Sequence, residues 1–152
     1  HHLYLCLGTT IKTAGSREAF RIVDFEYSFT LAKKAMEAGA TGLSLVSSVG
    51  ANANSKNFYL RTKGQLEEAI KLLGFSNINI YRPGLLIGHR KEKRSAEKAG
   101  QLFSKFVDPL LIGGLSQYRS IDANLLAGTM IDNANKGDGV NYFHFRNFNT
   151  SS

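Results

Sequence analysis

A chain of 152 residues, 43% hydrophobic and 20% charged with only two prolines, is long enough for one domain with a true core. No apolar stretch approaches the roughly 20 residues that cross a bilayer, so no membrane partner is expected. Much of the net charge of +7 lies in His89-Arg90-Lys91-Glu92-Lys93-Arg94 and continues to Lys98. Such a run is a solvated face, a seat for an anionic cofactor or substrate, or a nucleic-acid contact. With no nucleic-acid motif and no interleaved aromatics, nucleic acid ranks last.

In chain order, Leu3-Tyr4-Leu5-Cys6-Leu7 is an apolar run ended by Gly8-Thr9-Thr10, the pattern of a parallel strand buried on both faces. Cys6, the single cysteine, permits no intrachain disulfide and is expected in the core. No signal peptide is seen before this strand, and a reducing, cytoplasmic setting is expected. Thr13 to Ser16 reads as loop, and Asp24 as the N-cap of a helix from Phe25 to Ala38, stopped by Gly39. A second strand, Leu43 to Val46, ends in Ser47-Ser48-Val49-Gly50. After a polar loop comes a helix from Phe58 to Leu73 with Leu66, Ala69, Ile70 and Leu73 as its buried stripe. Ile78 to Arg82 is the third strand, broken by Pro83-Gly84.

Beyond the basic segment, 95–107 reads as helical and 109–114 as an apolar turn region. Asp122 caps a helix from Ala123 to Ala134, Val140 to Phe145 alternates like a final strand, and Ser151-Ser152 belong to a frayed tail. The order β-α-β-α-β predicts parallel strands with right-handed crossovers. The fold class is therefore α/β, the second half of a doubly wound, Rossmann-type parallel sheet with a small C-terminal extension within 89–152.

In such sheets ligands bind outside the carboxyl ends of the strands. Three consecutive strand ends here carry suitable groups: Gly8-Thr9-Thr10, Ser47-Ser48 and Pro83-Gly84. Downstream of the serines, Tyr59 and Lys63 stand four residues apart, on one face of a helix. A phenol beside a fixed ammonium is a proton donor whose pKa can fall from about 10 towards neutrality. A serine hydroxyl at a neighbouring strand end can bind the same carbonyl oxygen. This is machinery for hydride chemistry on a ketone or aldehyde.

These stretches resemble the short-chain dehydrogenase/reductases, in particular an atypical NAD(P)-binding branch that includes bacterial oxidoreductases and the mammalian Tat-interacting, tumour-suppressor-like protein. The resemblance lies in Cys6-Leu7-Gly8-Thr9-Thr10, Val23-Asp24, Leu45 to Ala51, Phe58 to Gly64 and Tyr81 to Gly84, and loosens beyond Arg94. It implies that Tyr59 is the acid/base, that Lys63 tunes it and holds the nicotinamide ribose, and that Ser48, or else Ser47, orients the carbonyl. It further implies cofactor contacts from Leu7, Gly8, Thr9, Tyr59, Lys63, Pro83, Gly84, Leu86 and Arg94, with NADP(H) favoured over NAD(H). Relatives often pair through the two helices at 25–38 and 58–73, so a homodimer is an expected assembly.

One motif is missing. No G-x-G-x-x-G or G-x-x-G-x-x-G occurs, and Gly39-Ala40-Thr41-Gly42 runs from a helix into a strand, the wrong context. Residues 1–152 thus read as a single NAD(P)-binding domain lacking its N-terminal glycine-rich βα units, about 60 residues at ~30 per unit. On this reading the chain alone binds dinucleotide poorly. The expected function is NAD(P)(H)-dependent reduction of a carbonyl or oxidation of an alcohol. The alternative from another class is a cofactor-binding regulatory protein with little turnover.

Overall fold

The apolar runs become strands and the periodic segments helices in a computed structural model that describes residues 1–87, 111 and 113–148. Arg94 and the rest of the basic segment, the expected helix at 95–107, most of residues 109–112 and the C-terminal tail lie outside the described residues. The elements are β1 (His2–Leu5), α1 (Ile11–Ala14), α2 (Arg17–Arg21), a π-helical segment (Ile22–Tyr27), α3 (Ser28–Glu37), β2 (Gly42–Val46), α4 (Phe58–Lys71) and β3 (Asn77–Tyr81). There follow β4 (Leu86–Ile87), a 3₁₀ helix (Gly113–Tyr118), β5 (Ile121–Asp122), α5 (Ala123–Asp132), β6 (Gly139–Phe143) and α6 (Phe145–Phe148).

Four strands form a parallel sheet in the order β1-β2-β3-β6. The short strands β4 and β5 pair separately, also in parallel. Strand alternation divides β3 between two cores. Ile78 and Ile80 join Leu5, Leu43, Leu45, Ala32 of α3 and Leu66 and Ile70 of α4. Tyr81 turns the other way, to Ile121, Leu126, Met130 and Phe148. On that second face the buried Asn77 donates to the carbonyls of Ala134 and Lys136, and Asn79 to that of Asn133. The C-cap of α5 and the turn that follows it are thereby tied to the sheet.

Several expectations need correction. β1 is an edge strand, not one buried on both faces, and Tyr4 is 43% exposed. Cys6 lies past the strand's end and is exposed, because no further strand flanks that edge among the described residues. The loop expected from Thr13 to Ser16 overlaps the end of the short helix α1, capped by Thr10, and its Ser16 caps α2. Helical structure therefore begins well before Asp24. That residue is no N-cap: it lies inside the π-helical segment with its side chain buried.

α4 begins at Asn57, whose Oδ1 accepts from the Leu60 amide at 3.2 Å. Next to Lys63, Gly64 lets this helix touch the loop that follows the serines. A methyl there would lie 2.3 Å from the Ala53 nitrogen and from the carbonyl carbon of Asn52. Backbone cannot yield as a side chain can. Gly64→Ala is expected to cost at least the ~1–3 kcal/mol typical of overpacking, read as a lower midpoint in urea unfolding. An unchanged midpoint would refute this packing.

Candidate functional site at the carboxyl edge of the sheet

The site grows from one face of α4. Tyr59, Lys63 and Glu67 recur every four residues, so they point the same way on successive turns. Tyr59 is half-buried, and its ring packs against that of Phe20 in α2 with centroids 5.6 Å apart. Lys63 is almost wholly buried and its Nζ lies 2.7 Å from Oδ1 of Asp24, whose side chain is 0% exposed. Oδ2 of Asp24 accepts from the Thr9 amide at 2.8 Å. Gly8 closes the group: a methyl on it would lie 3.4 Å from Asp24 Oδ1 and 3.6 Å from Lys63 Nζ. Thus Gly8, Thr9 and Lys63 do come together, with Asp24 as the link that sequence reasoning missed.

Glu67 carries the next layer. It is 1% exposed, accepts a hydrogen bond from the Ser47 hydroxyl and holds both Nε (3.1 Å) and Nη2 of Arg82. This bidentate pair raises the Arg82 pKa, chiefly because the guanidinium donates its hydrogen bonds to the Glu67 carboxylate. Ser47 and Arg82 thereby lock the ends of β2 and β3 to α4. The two serines differ as a result: the Ser47 hydroxyl is committed to a buried carboxylate, whereas among the described residues half-buried Ser48 donates only to the adjacent Val49 carbonyl, at 3.3 Å.

Backbone bonds bring Ser48 beside the other strand ends. The Val49 amide donates to the Pro83 carbonyl at 2.9 Å, and the Asn52 amide to the Leu60 carbonyl at 3.1 Å, one residue past Tyr59. Pro83 is buried. At Gly84 a methyl would strike the carbonyl oxygens of Arg119 and Tyr118 at 2.5 and 2.7 Å, so a close backbone crossing accounts for that glycine. Leu86 packs against the second core, and Leu7 is exposed beyond the end of β1. Neither is drawn into the Lys63 cluster by any contact among the described residues.

Two other titratable groups belong to the frame. Tyr81 is fully buried and stacked on Phe143, and burial pushes its phenol up to about 12, away from acid–base work. His144, just past β6, is pushed below the usual histidine range by burial and by the Arg82 cation. The geometry can therefore offer one accessible phenol, one buried ammonium on a fixed carboxylate, and one uncommitted serine hydroxyl.

The chain is similar to known proteins in sequence and in fold. The chain is 40% identical over 131 residues to "Protein FMP52, mitochondrial" of Candida albicans, covering 86% of this chain and 56% of that protein. A protein of the same name from Aspergillus niger is 35% identical over 125 residues, covering 82% of this chain and 53% of its own length. The chain thus spans about half the length of the curated relatives it matches. These relatives bear the FMP52 name, not that of the Tat-interacting protein. They are named as mitochondrial, which overturns the cytoplasmic expectation. No family model matches the chain.

Among solved structures, UDP-glucose 4-epimerase of Thermotoga maritima with UDP-glucose superposes with a TM-score of 0.65 at 15% identity, over 94% of this chain and 55% of that one. Human epimerase family protein SDR39U1 with NADPH gives 0.64 at 17% identity, over 94% and 56%. With its parallel sheet, crossover helices and these likenesses, the chain has the α/β fold of NAD(P)-binding Rossmann-type proteins.

Proposed function

We propose that the chain is the catalytic portion of an atypical short-chain dehydrogenase/reductase that reduces a carbonyl or oxidises an alcohol with NAD(P)(H). The observation that carries this reading is the joint placement of Tyr59 and Lys63 on one face of α4, at the carboxyl edge of the sheet, with Lys63 clasped by buried Asp24 under Gly8. The residues fit a dinucleotide: glycine at the β1 end keeps the backbone approachable, and the ammonium stands directly beneath it. When bound, the nicotinamide supplies or accepts the hydride.

The remaining work falls to side chains. Tyr59 gives its proton to the carbonyl oxygen during reduction and removes one from the alcohol in reverse. Ser48 donates to the same oxygen; it is preferred to Ser47 because Glu67 already holds the Ser47 hydroxyl. Lys63 is assigned to the nicotinamide ribose, and Gly8, Thr9 and Pro83 to the walls around it. NADP(H) is favoured by the family resemblance and, weakly, by the positive charge. No glycine-rich phosphate turn occurs within residues 1–152. The relatives' name points to mitochondria as the place of action.

The test uses the full-length protein with NADPH and a panel of aldehydes and ketones. Oxidation of NADPH dependent on one of these carbonyls is the expected result. Tight NADPH binding with no turnover on any of them would instead favour the regulatory alternative.

A further inference from the structure

The π-helical segment has a consequence for Lys63. Its turn is wider than that of an α-helix, with Ser28 Oγ donating to the Val23 carbonyl five residues back at 3.4 Å. Such wide turns concentrate at functional sites. Here the turn carries Asp24 inward, where among the described residues Lys63 Nζ and the Thr9 amide answer it. A carboxylate with no exposed surface is costly unless paired, and a buried ammonium likewise. Each charge is therefore tolerable only in the presence of the other.

We propose that Asp24 is the positioning residue of the site: anchored to the end of β1 through Thr9, it fixes Lys63 Nζ beneath Gly8 in the place where the cofactor's ribose hydroxyls are met. The proposal rests on the functional reading above and adds that the ammonium is aimed by a carboxylate from another helix. Lys63 acts as one half of an ion pair, not as a free cation. The packing does not require this arrangement, since an apolar pair of similar volume fills such a space as well or better.

A double-mutant cycle on NADPH affinity in the full-length protein tests it, with the dissociation constant read from cofactor fluorescence. Asp24→Asn and Lys63→Met are each expected to weaken binding about tenfold, the worth of one hydrogen bond to a charged group. The double variant should bind no worse than Lys63→Met alone, because Asp24 works only through Lys63. It also removes both buried charges, so it folds even if Asp24→Asn alone is too unstable to titrate. Additive losses, or an unchanged constant in Asp24→Asn, would overturn the proposal while leaving the functional reading intact. Absence of NADPH binding by the unmutated protein would overturn both. Binding without turnover would sink the redox reading only.

Discussion

Tyr59→Phe is expected to lower turnover of the full-length protein by about a hundredfold to ten-thousandfold, the usual contribution of a positioned general acid or base. NADPH affinity should stay near its original value, because the Tyr59 ring is kept and Lys63, Gly8, Thr9 and Pro83 are untouched. The substitution removes only the hydroxyl. The ring that packs against Phe20 is retained, so the folded structure should survive. Tyr81→Phe is the matched control: that phenol is enclosed in the second core, pushed up to about 12, and its loss should leave turnover unaltered. Steady-state NADPH oxidation together with a cofactor titration separates the two effects. Turnover unaffected by Tyr59→Phe would eliminate Tyr59 as the proton donor, whatever the cofactor affinity.

The parts of this site that were legible in the sequence are those built from local periodicity. Parallel strands buried on both faces read as apolar runs, and β2 and β3 emerge within a residue of where such runs predict them. Tyr59 and Lys63 are visible because helical spacing alone brings them together. The same rule extended one turn further reaches Glu67, a residue that the apolar stripe of Leu66, Ala69, Ile70 and Leu73 leaves out. Strand alternation could also have separated the serines. Leu43, Leu45 and Ser47 share the face that looks towards α4, and Ser48 does not.

Asp24 was beyond such reasoning. Its partner is 39 positions later, its place depends on a π turn, and before an apolar segment an aspartate reads first as a cap. Cys6 failed for the reverse reason: an apolar run reveals a strand but not whether that strand lies at the edge of its sheet.

The Glu67–Arg82 pair supplies the largest expected effect on stability. Arg82→Leu should cost about 3–5 kcal/mol, the range for stripping the partner from a buried charge. Glu67 is 1% exposed, so water cannot replace the two guanidinium contacts. The Arg82 side chain also lies over the Tyr142 ring, 4.6 Å from its centroid, and leucine gives up that contact too. Arg82→Lys should recover only part of the loss, because an ammonium cannot span both carboxylate oxygens in the fork geometry.

Removing both charges, with Glu67→Leu added to Arg82→Leu, should restore most of the stability, because no buried carboxylate then remains unpaired. A residual loss of about 1–3 kcal/mol is expected from the Ser47 hydroxyl, which keeps its burial but loses its acceptor. Urea unfolding of the four proteins checks the cycle. Equal, additive losses from the two single changes would show that the pair is not the unit that locks β2 and β3 to α4. If it is that unit, the double variant will be stable yet have a looser β2 end. Ser48, one residue beyond the lost clamp, should then show the damage as reduced turnover in a protein that still folds.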